Sequence, residues 1–267
     1  LGIIGSQTKR IRIGSGAVLL PHYSPFHVAE TFNLLATLYP GRIDLGIGRA
    51  PGGSAETSIA LSGNFLEQVR LMPKKLDELL RFLKQDFPDD HLYKRIQATP
   101  LPDTPPVPWL LGTSEKSSIQ AAELGLPYAF GHFMSEQDGP SIVSNYQKNF
   151  NKEGYHDQPQ VIVAVAVICA ETTEKAEDLA LSQLIWRIQQ SKGEGISGVP
   201  SVEAAKAYTL TVEEKDKIAK MKEKMIIGDP SEVKQKLEQL SELYQTEEMM
   251  IITITHCYED RLRSYEL

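Results

Sequence analysis

Apolar residues along this chain gather in short, almost unbroken runs, separated by longer stretches in which they recur every three or four positions. The runs at 11–20 (IRIGSGAVLL), 42–48 (RIDLGIG), 108–112 (PWLLG), 127–131 (PYAFG), 160–169 (QVIVAVAVIC) and 249–255 (MMIITIT) predict six strands. Several are apolar at successive positions rather than at every second one. That suits strands covered on both faces, as in a parallel sheet. Between them lie helical patterns. Ser24-Pro25 reads as an N-cap with proline at the first helical position, and Val28, Phe32, Leu35 and Tyr39 follow at helical spacing. Phe65, Val69, Met72, Leu76, Leu79, Leu83 and Phe87 form a stripe over 64–87 that Pro73 kinks or restarts. A shorter helix is expected over 114–124 and longer ones over 135–152 and 172–190. Asp229-Pro230-Ser231-Glu232 reads as a capping box, with Val233, Leu237 and Leu240 facing inward.

Strand and helix in alternation mean an α/β fold with a parallel sheet, read as one domain over 1–267. A closed (β/α)8 barrel of about 250 residues fits the length and needs eight strands. The runner-up is an open doubly wound sheet. Its glycine fingerprint is not met, because Gly14-Ser15-Gly16-Ala17 lies inside a strand pattern and lacks the third glycine. Two stretches break the rhythm: 88–108, with six prolines, and 192–212, Gly-rich and then weakly helical. Insertions of that kind form lids or binding loops about as often as plain solvated excursions.

Composition narrows the function classes. The 267 residues are 41% apolar and 24% charged, which excludes disordered, collagenous and disulfide-scaffold chains. A formal net charge of −7 argues against a general affinity for nucleic acid or anionic membrane. No apolar run approaches the ~18 residues a membrane-spanning helix needs. The two cysteines, Cys169 and Cys257, allow at most one disulfide and suit a reducing, cytoplasmic setting. No basic-then-apolar signal pattern opens the chain, and a start at Leu1 rather than Met leads us to expect a segment whose N-terminus lies elsewhere.

Barrel enzymes place their chemistry at the C-terminal ends of the strands. There this sequence carries His22, Arg49-Ala50-Pro51-Gly52-Gly53, Thr113-Ser114-Glu115-Lys116-Ser117-Ser118, His132, and His256-Cys257. A lone histidine at a strand end is more often a hydrogen-bonded structural group than a catalyst, and Cys257 reads equally as a small apolar filler. Arg49 reads as an anion ligand, because Gly52-Gly53 lets the backbone approach a bound group; the alternative is a surface ion pair. Gly112 to Ser118 joins a strand to a helix, so unpaired N–H groups, a positive dipole end and the hydroxyls of Ser114 and Ser117 make a candidate phosphate cradle. Ordinary N-capping explains the same residues. There is no HExxH, CxxC, Walker or GxSxG motif and no metal-ligand spacing.

The run Gly14 to Pro25 (GSGAVLLPHYSP), extended by Ala29-Glu30 and Asn33-Leu34-Leu35, resembles the third strand and third helix start of the bacterial luciferase-like monooxygenase family. Gly41 to Ala50 (GRIDLGIGRA) continues the likeness. Gly112-Thr113-Ser114 with Ala121 to Gly125 is similar to the family's phosphate site, and Ile251 to His256 with Arg261 to Leu267 is similar to one bacterial subgroup.

The resemblance covers essentially the whole chain and implies a (β/α)8 TIM barrel that binds reduced FMN, or less often a deazaflavin, and uses O2 to oxygenate an organic substrate. By carry-over, Arg49, Ser114 and Ser117 hold the flavin phosphate. Gly16 and Ala17 lie under the isoalloxazine ring, at a non-proline cis peptide in relatives. His22 and His132 are the catalytic candidates near ring or substrate, and 192–212 falls where relatives have a mobile lid. The resemblance also implies homodimers, a flavin reductase as a supplier of reduced flavin, and no metal. It implies two strands and a histidine-rich stretch ahead of Leu1, so the barrel is expected to lack roughly its first two strands here. A non-catalytic flavin-binding protein on a shortened barrel is the alternative reading, and a barrel binding a sugar phosphate at Arg49 and Ser114 is a weaker one.

Overall fold

The 11–20 run is not one strand. In the computed structural model, which describes residues 1–194 and 198–267, it forms two short segments, β1 (Ile13–Gly14) and β2 (Val18–Leu19), preceded by α1 (Gly2–Gln7). Both pair in parallel with β3 (Ile43–Gly48): Ile13 opposite Ile43, and Val18 opposite Ile47. The cause of the interruption is a close approach. A Cβ built on Gly46 would stand 2.0 Å from the carbonyl oxygen of Ser15, while Ser15 Oγ donates to the Gly46 carbonyl at 3.0 Å. Only glycine lets the Ser15–Ala17 backbone lean onto β3 in this way.

The remaining elements follow in chain order. A 3-10 turn, Leu20–His22, leads into α2 (Pro25–Leu38), and β3 is followed by α3 (Ala55–Ser62), α4 (Phe65–Arg70) and α5 (Met72–Lys84). Pro73 in the first turn of α5 restarts the 64–87 stripe rather than kinking it. Then come β4 (Val107–Gly112), α6 (Glu115–Leu124), β5 (Tyr128–Gly131), a 3-10 turn His132–Met134, α7 (Gly139–Lys148), β6 (Val161–Cys169), α8 (Thr173–Ser191), α9 (Val202–Ala207), α10 (Val212–Lys222), β7 (Met225–Gly228), α11 (Pro230–Tyr244), β8 (Met249–Ile252) and α12 (Tyr258–Glu266).

Among the described residues the strands run β1-β3-β4-β5-β6-β7, with β2 also on β3 and β8 also on β6. β8 lies beside the first half of β6 (Val163 opposite Met249) and β7 beside the second (Cys169 opposite Gly228). The four-residue β7 escapes sequence reading: it is too short to show a period and runs straight on from the Lys-rich end of α10. Every residue of β6 is buried, which is why its apolar run is unbroken.

The chain divides into two compact units. The first comprises Leu1–Gly112, Lys116–Ala129 and Tyr146–Gln160. Its core sets α2 against α5, with Ala29, Leu76 and Leu79 completely buried, beneath Leu45 and Ile47 of β3. The second comprises Thr113–Glu115, Phe130–Asn145 and Val161–Leu267. It is built on α8, whose Leu179, Leu184, Ile185 and Ile188 meet Ile168 and Ile227. Of the 192–212 excursion, residues 195–197 lie outside the described residues; the rest includes α9, packed on α8 with Ala205 buried.

The capping box at α11 is present in both directions: Asp229 accepts from the backbone N–H of Ser231 and Glu232, and Glu232 accepts from the Asp229 N–H. Asp229→Ala is expected to cost about 1 kcal/mol of stability, measured by urea denaturation. An unchanged midpoint would show that the box contributes nothing.

Candidate active site

The C-terminal ends of β2, β3 and β4 bring several of the expected residues to one end of the first unit. Between β1 and β2, the Gly16–Ala17 peptide is cis. No atom lies within 4 Å of where a Gly16 Cβ would stand, so this backbone opens onto free space, while Ala17 Cβ packs near Gly48. Arg49 follows β3 directly, is exposed, and has no ion-pair or hydrogen-bond partner among the described residues. The loop beyond it turns at Gly52, whose φ is +73°.

His22 fastens that loop. Its Nε2 donates to the Pro51 carbonyl at 2.9 Å, its Nδ1 meets Ser62 Oγ at 2.9 Å, and its ring stacks on Phe65 with centroids 5.0 Å apart. Both nitrogens are therefore engaged within the protein. Ser117, in the first turn of α6, lies against Gly112 at the end of β4, where an added Cβ would come within 2.1 Å of its Oγ. That hydroxyl is 2.9 Å from the phenol of Tyr128, which burial pushes up to about 12 and so keeps protonated. β3 and β4 are parallel neighbours, with Ile47 opposite Leu110, so Arg49 and Ser117 follow their strands at the same end.

Ser114 and His132 belong to the second unit. Ser114 is half-buried just ahead of α6. His132, in the 3-10 turn after β5, has Nδ1 2.8 Å from the phenolic oxygen of Tyr244 at the end of α11. Burial first, and the positive charge of Lys224 second, hold the His132 imidazole below its ordinary range. Burial first, then Asp138, holds the Tyr244 phenol above its own. With that phenol donating to Nδ1, the proton of the neutral ring sits on Nε2.

Lys224→Met is accordingly expected to raise the His132 midpoint in an NMR titration while leaving it below 6.5, because burial is the larger cause. An unmoved midpoint would contradict the assignment. The sign for stability follows. The folded state favours the neutral ring, so this contribution is complete above pH 6.5 and is lost as pH falls through the depressed folded value.

The last strand-end residues do other work. His256 Nδ1 bonds the Val199 carbonyl at 2.7 Å, and Cys257 Sγ meets Asp260 Oδ2 at 2.8 Å at the start of α12. Both cysteines are free. Among the described residues no group of His, Cys, Asp or Glu is placed to hold a metal ion, and no helix is long and apolar enough to cross a membrane. Tyr128 and Tyr244 gave no sequence signal: each acts through a partner that only folding brings near, and Tyr244 is 112 positions from His132.

A flavin mononucleotide requires a cation and hydroxyls for its phosphate and an open, side-chain-free surface for its ring. Arg49 and Ser117 meet the first requirement and the Gly16–Ala17 backbone the second, so the residues present fit the group.

A family model described as luciferase-like monooxygenase matches residues 1–247. N-acetyl-S-alkylcysteine monooxygenase of Bacillus subtilis (strain 168) is 36% identical over 269 residues, covering 100% of this chain and 79% of that protein. The crystal structure of apo-MsnO8 superposes with a TM-score of 0.83 at 31% identity, covering 99% of this chain and 78% of the other. The oxygenating constituent of 3,6-diketocamphane monooxygenase from Pseudomonas putida, solved with FMN, shares the fold at 20% identity and a TM-score of 0.62, covering 99% and 79%.

Proposed function

Because the chain belongs to the luciferase-like monooxygenase family, we propose that it is a flavin-dependent monooxygenase that takes reduced FMN and O2 and transfers one oxygen atom to a small organic molecule. The observation that carries the reading is Arg49: an exposed guanidinium with no partner of its own, at the end of β3, in the same unit as the open Gly16–Ala17 backbone. Bound reduced flavin supplies the electrons that activate O2. The chain supplies placement.

Arg49 pairs with the phosphate dianion, and Ser117, oriented by Tyr128, donates its hydroxyl. Ser114, just ahead of α6, carries a further hydroxyl. Gly16 and Ala17 present a flat surface to the ring, because neither carries a side chain longer than a methyl group. His22 is a positioning residue that holds the Arg49–Gly53 loop through Pro51. His132 is the catalytic candidate: neutral, with Nε2–H as a donor toward substrate oxygen and Tyr244 behind it to fix the tautomer.

The test is isotopic. With chemically reduced FMN, 18O2 and a panel of small thioethers, ketones and aldehydes that includes N-acetyl-S-alkylcysteines, one 18O appears in product and the other in water. Turnover with no O2 uptake, driven instead by a deazaflavin, would replace the oxygenase reading with a hydride-transfer one.

A further inference from the structure

One face of α8 carries polar groups that the fold leaves without partners. Gln183 is 1% exposed, yet neither its carboxamide nitrogen nor its oxygen has a hydrogen-bond partner among the described residues. The indole N–H of Trp186 is likewise buried and unpartnered. Arg187 is half-buried, has no carboxylate or hydrogen-bond partner among the described residues, and has its guanidinium 5.9 Å from the ring centroid of Phe133. Burial alone pulls that guanidinium below its usual range, with no opposing carboxylate. Positions 183, 186 and 187 share one side of a helix, at spacings of three and four.

Such an arrangement is costly if it stays unmet. A buried amide with no partner costs roughly 1–3 kcal/mol, and a desolvated cation more. Native proteins rarely keep three such groups side by side unless something fills them. The donors are a guanidinium, an indole N–H and a carboxamide NH2; the single acceptor is Gln183 Oε1. That set answers a carboxylate with a neighbouring N–H. Phe133 supplies an apolar wall, and it directly follows His132 in the same 3-10 turn.

We propose that Arg187, Trp186 and Gln183 form a substrate subsite that takes the carboxylate of a small N-acylated or otherwise N–H-bearing organic acid. This deepens the monooxygenase reading and rests on it for the word substrate; the binding itself is a separate matter. Arg187 forms the charge-assisted bonds to the carboxylate oxygens, Trp186 donates to the same group, and Gln183 Oε1 accepts the adjacent N–H.

The experiment follows the two tryptophan indole N–H resonances in 1H–15N spectra of the chain, assigned with Trp186→Phe. Trp109 is the internal control, because its indole is held by Asp44 at 3.0 Å. The probes are N-acetylglycine and its uncharged primary amide at millimolar concentration. The Trp186 signal is expected to shift saturably with the carboxylate and at least about tenfold more weakly with the amide, the Trp109 signal staying in place. Arg187→Met raises the dissociation constant by about tenfold or more, Arg187→Lys by less, and Gln183→Met by severalfold. Should Arg187→Met disturb the Trp109 signal, the Lys and Gln183→Met variants decide. No saturable shift, or equal response to acid and amide, or unaltered affinity in the variants, overturns the subsite. FMN titrated into the same samples separates the claims: FMN binding without carboxylate preference removes the subsite and leaves the flavin reading, and the reverse result does the opposite.

Discussion

Arg49→Ala weakens FMN binding by about 1.5–3 kcal/mol, roughly ten- to a hundredfold in dissociation constant, and leaves riboflavin affinity nearly unchanged. The size comes from a charge-assisted contact to a phosphate dianion, and the selectivity from riboflavin having no phosphate. Side effects on folding are small, since Arg49 is exposed and holds nothing else among the described residues. Arg49→Lys keeps the charge but not the two-pronged geometry, and falls between the two. Calorimetric titration of both flavins checks this. Equal losses for FMN and riboflavin would move Arg49 from the phosphate to the ring or to the fold.

Gly46→Ala destabilises the first unit by about 2–3 kcal/mol, a drop of roughly 4–10 °C in melting temperature. The added methyl meets the Ser15 backbone oxygen at 2.0 Å, and a backbone atom flanked by paired strands has little room to yield. The same substitution pushes Ser15–Ala17 off β3, so FMN affinity falls with stability. Ser15→Ala, which removes only the Oγ bond to the Gly46 carbonyl, costs about 1 kcal/mol and spares the path of the chain. Thermal melts of the two variants distinguish them; a Gly46→Ala melt equal to that of the parent chain would show that the backbone there adapts freely.

How far the sequence carries depends on the range of the interaction concerned. β3 and β6 emerge within one residue of the 42–48 and 160–169 runs, because an apolar run buried on both faces is a purely local signal. The Asp229 capping box is local too, closed within four residues. The break in 11–20 is not local. It depends on Gly46, some thirty residues on, and nothing in IRIGSGAVLL announces it. β7 is four residues long and borrows its pairing from the end of β6.

The candidate site divides along the same line. Arg49, His22 and His132 were legible as polar residues just past apolar runs, where parallel strands deliver their side chains. What those residues touch was not legible: His22 spends both nitrogens on Ser62 and Pro51, and His132 meets a tyrosine from α11. Gln183 and Arg187 did leave a trace, a glutamine and an arginine four apart in the mostly apolar stretch 179–188 of α8. A strand-end search passes over that signal because it lies mid-helix.

The most direct measurement of the central claim is a calorimetric titration of the chain with FMN, riboflavin and a deazaflavin under one set of conditions. The account predicts binding of FMN with a dissociation constant at least about tenfold below that of riboflavin, the difference vanishing in Arg49→Ala. Equal affinity for FMN and riboflavin, or binding of the deazaflavin alone, would contradict it.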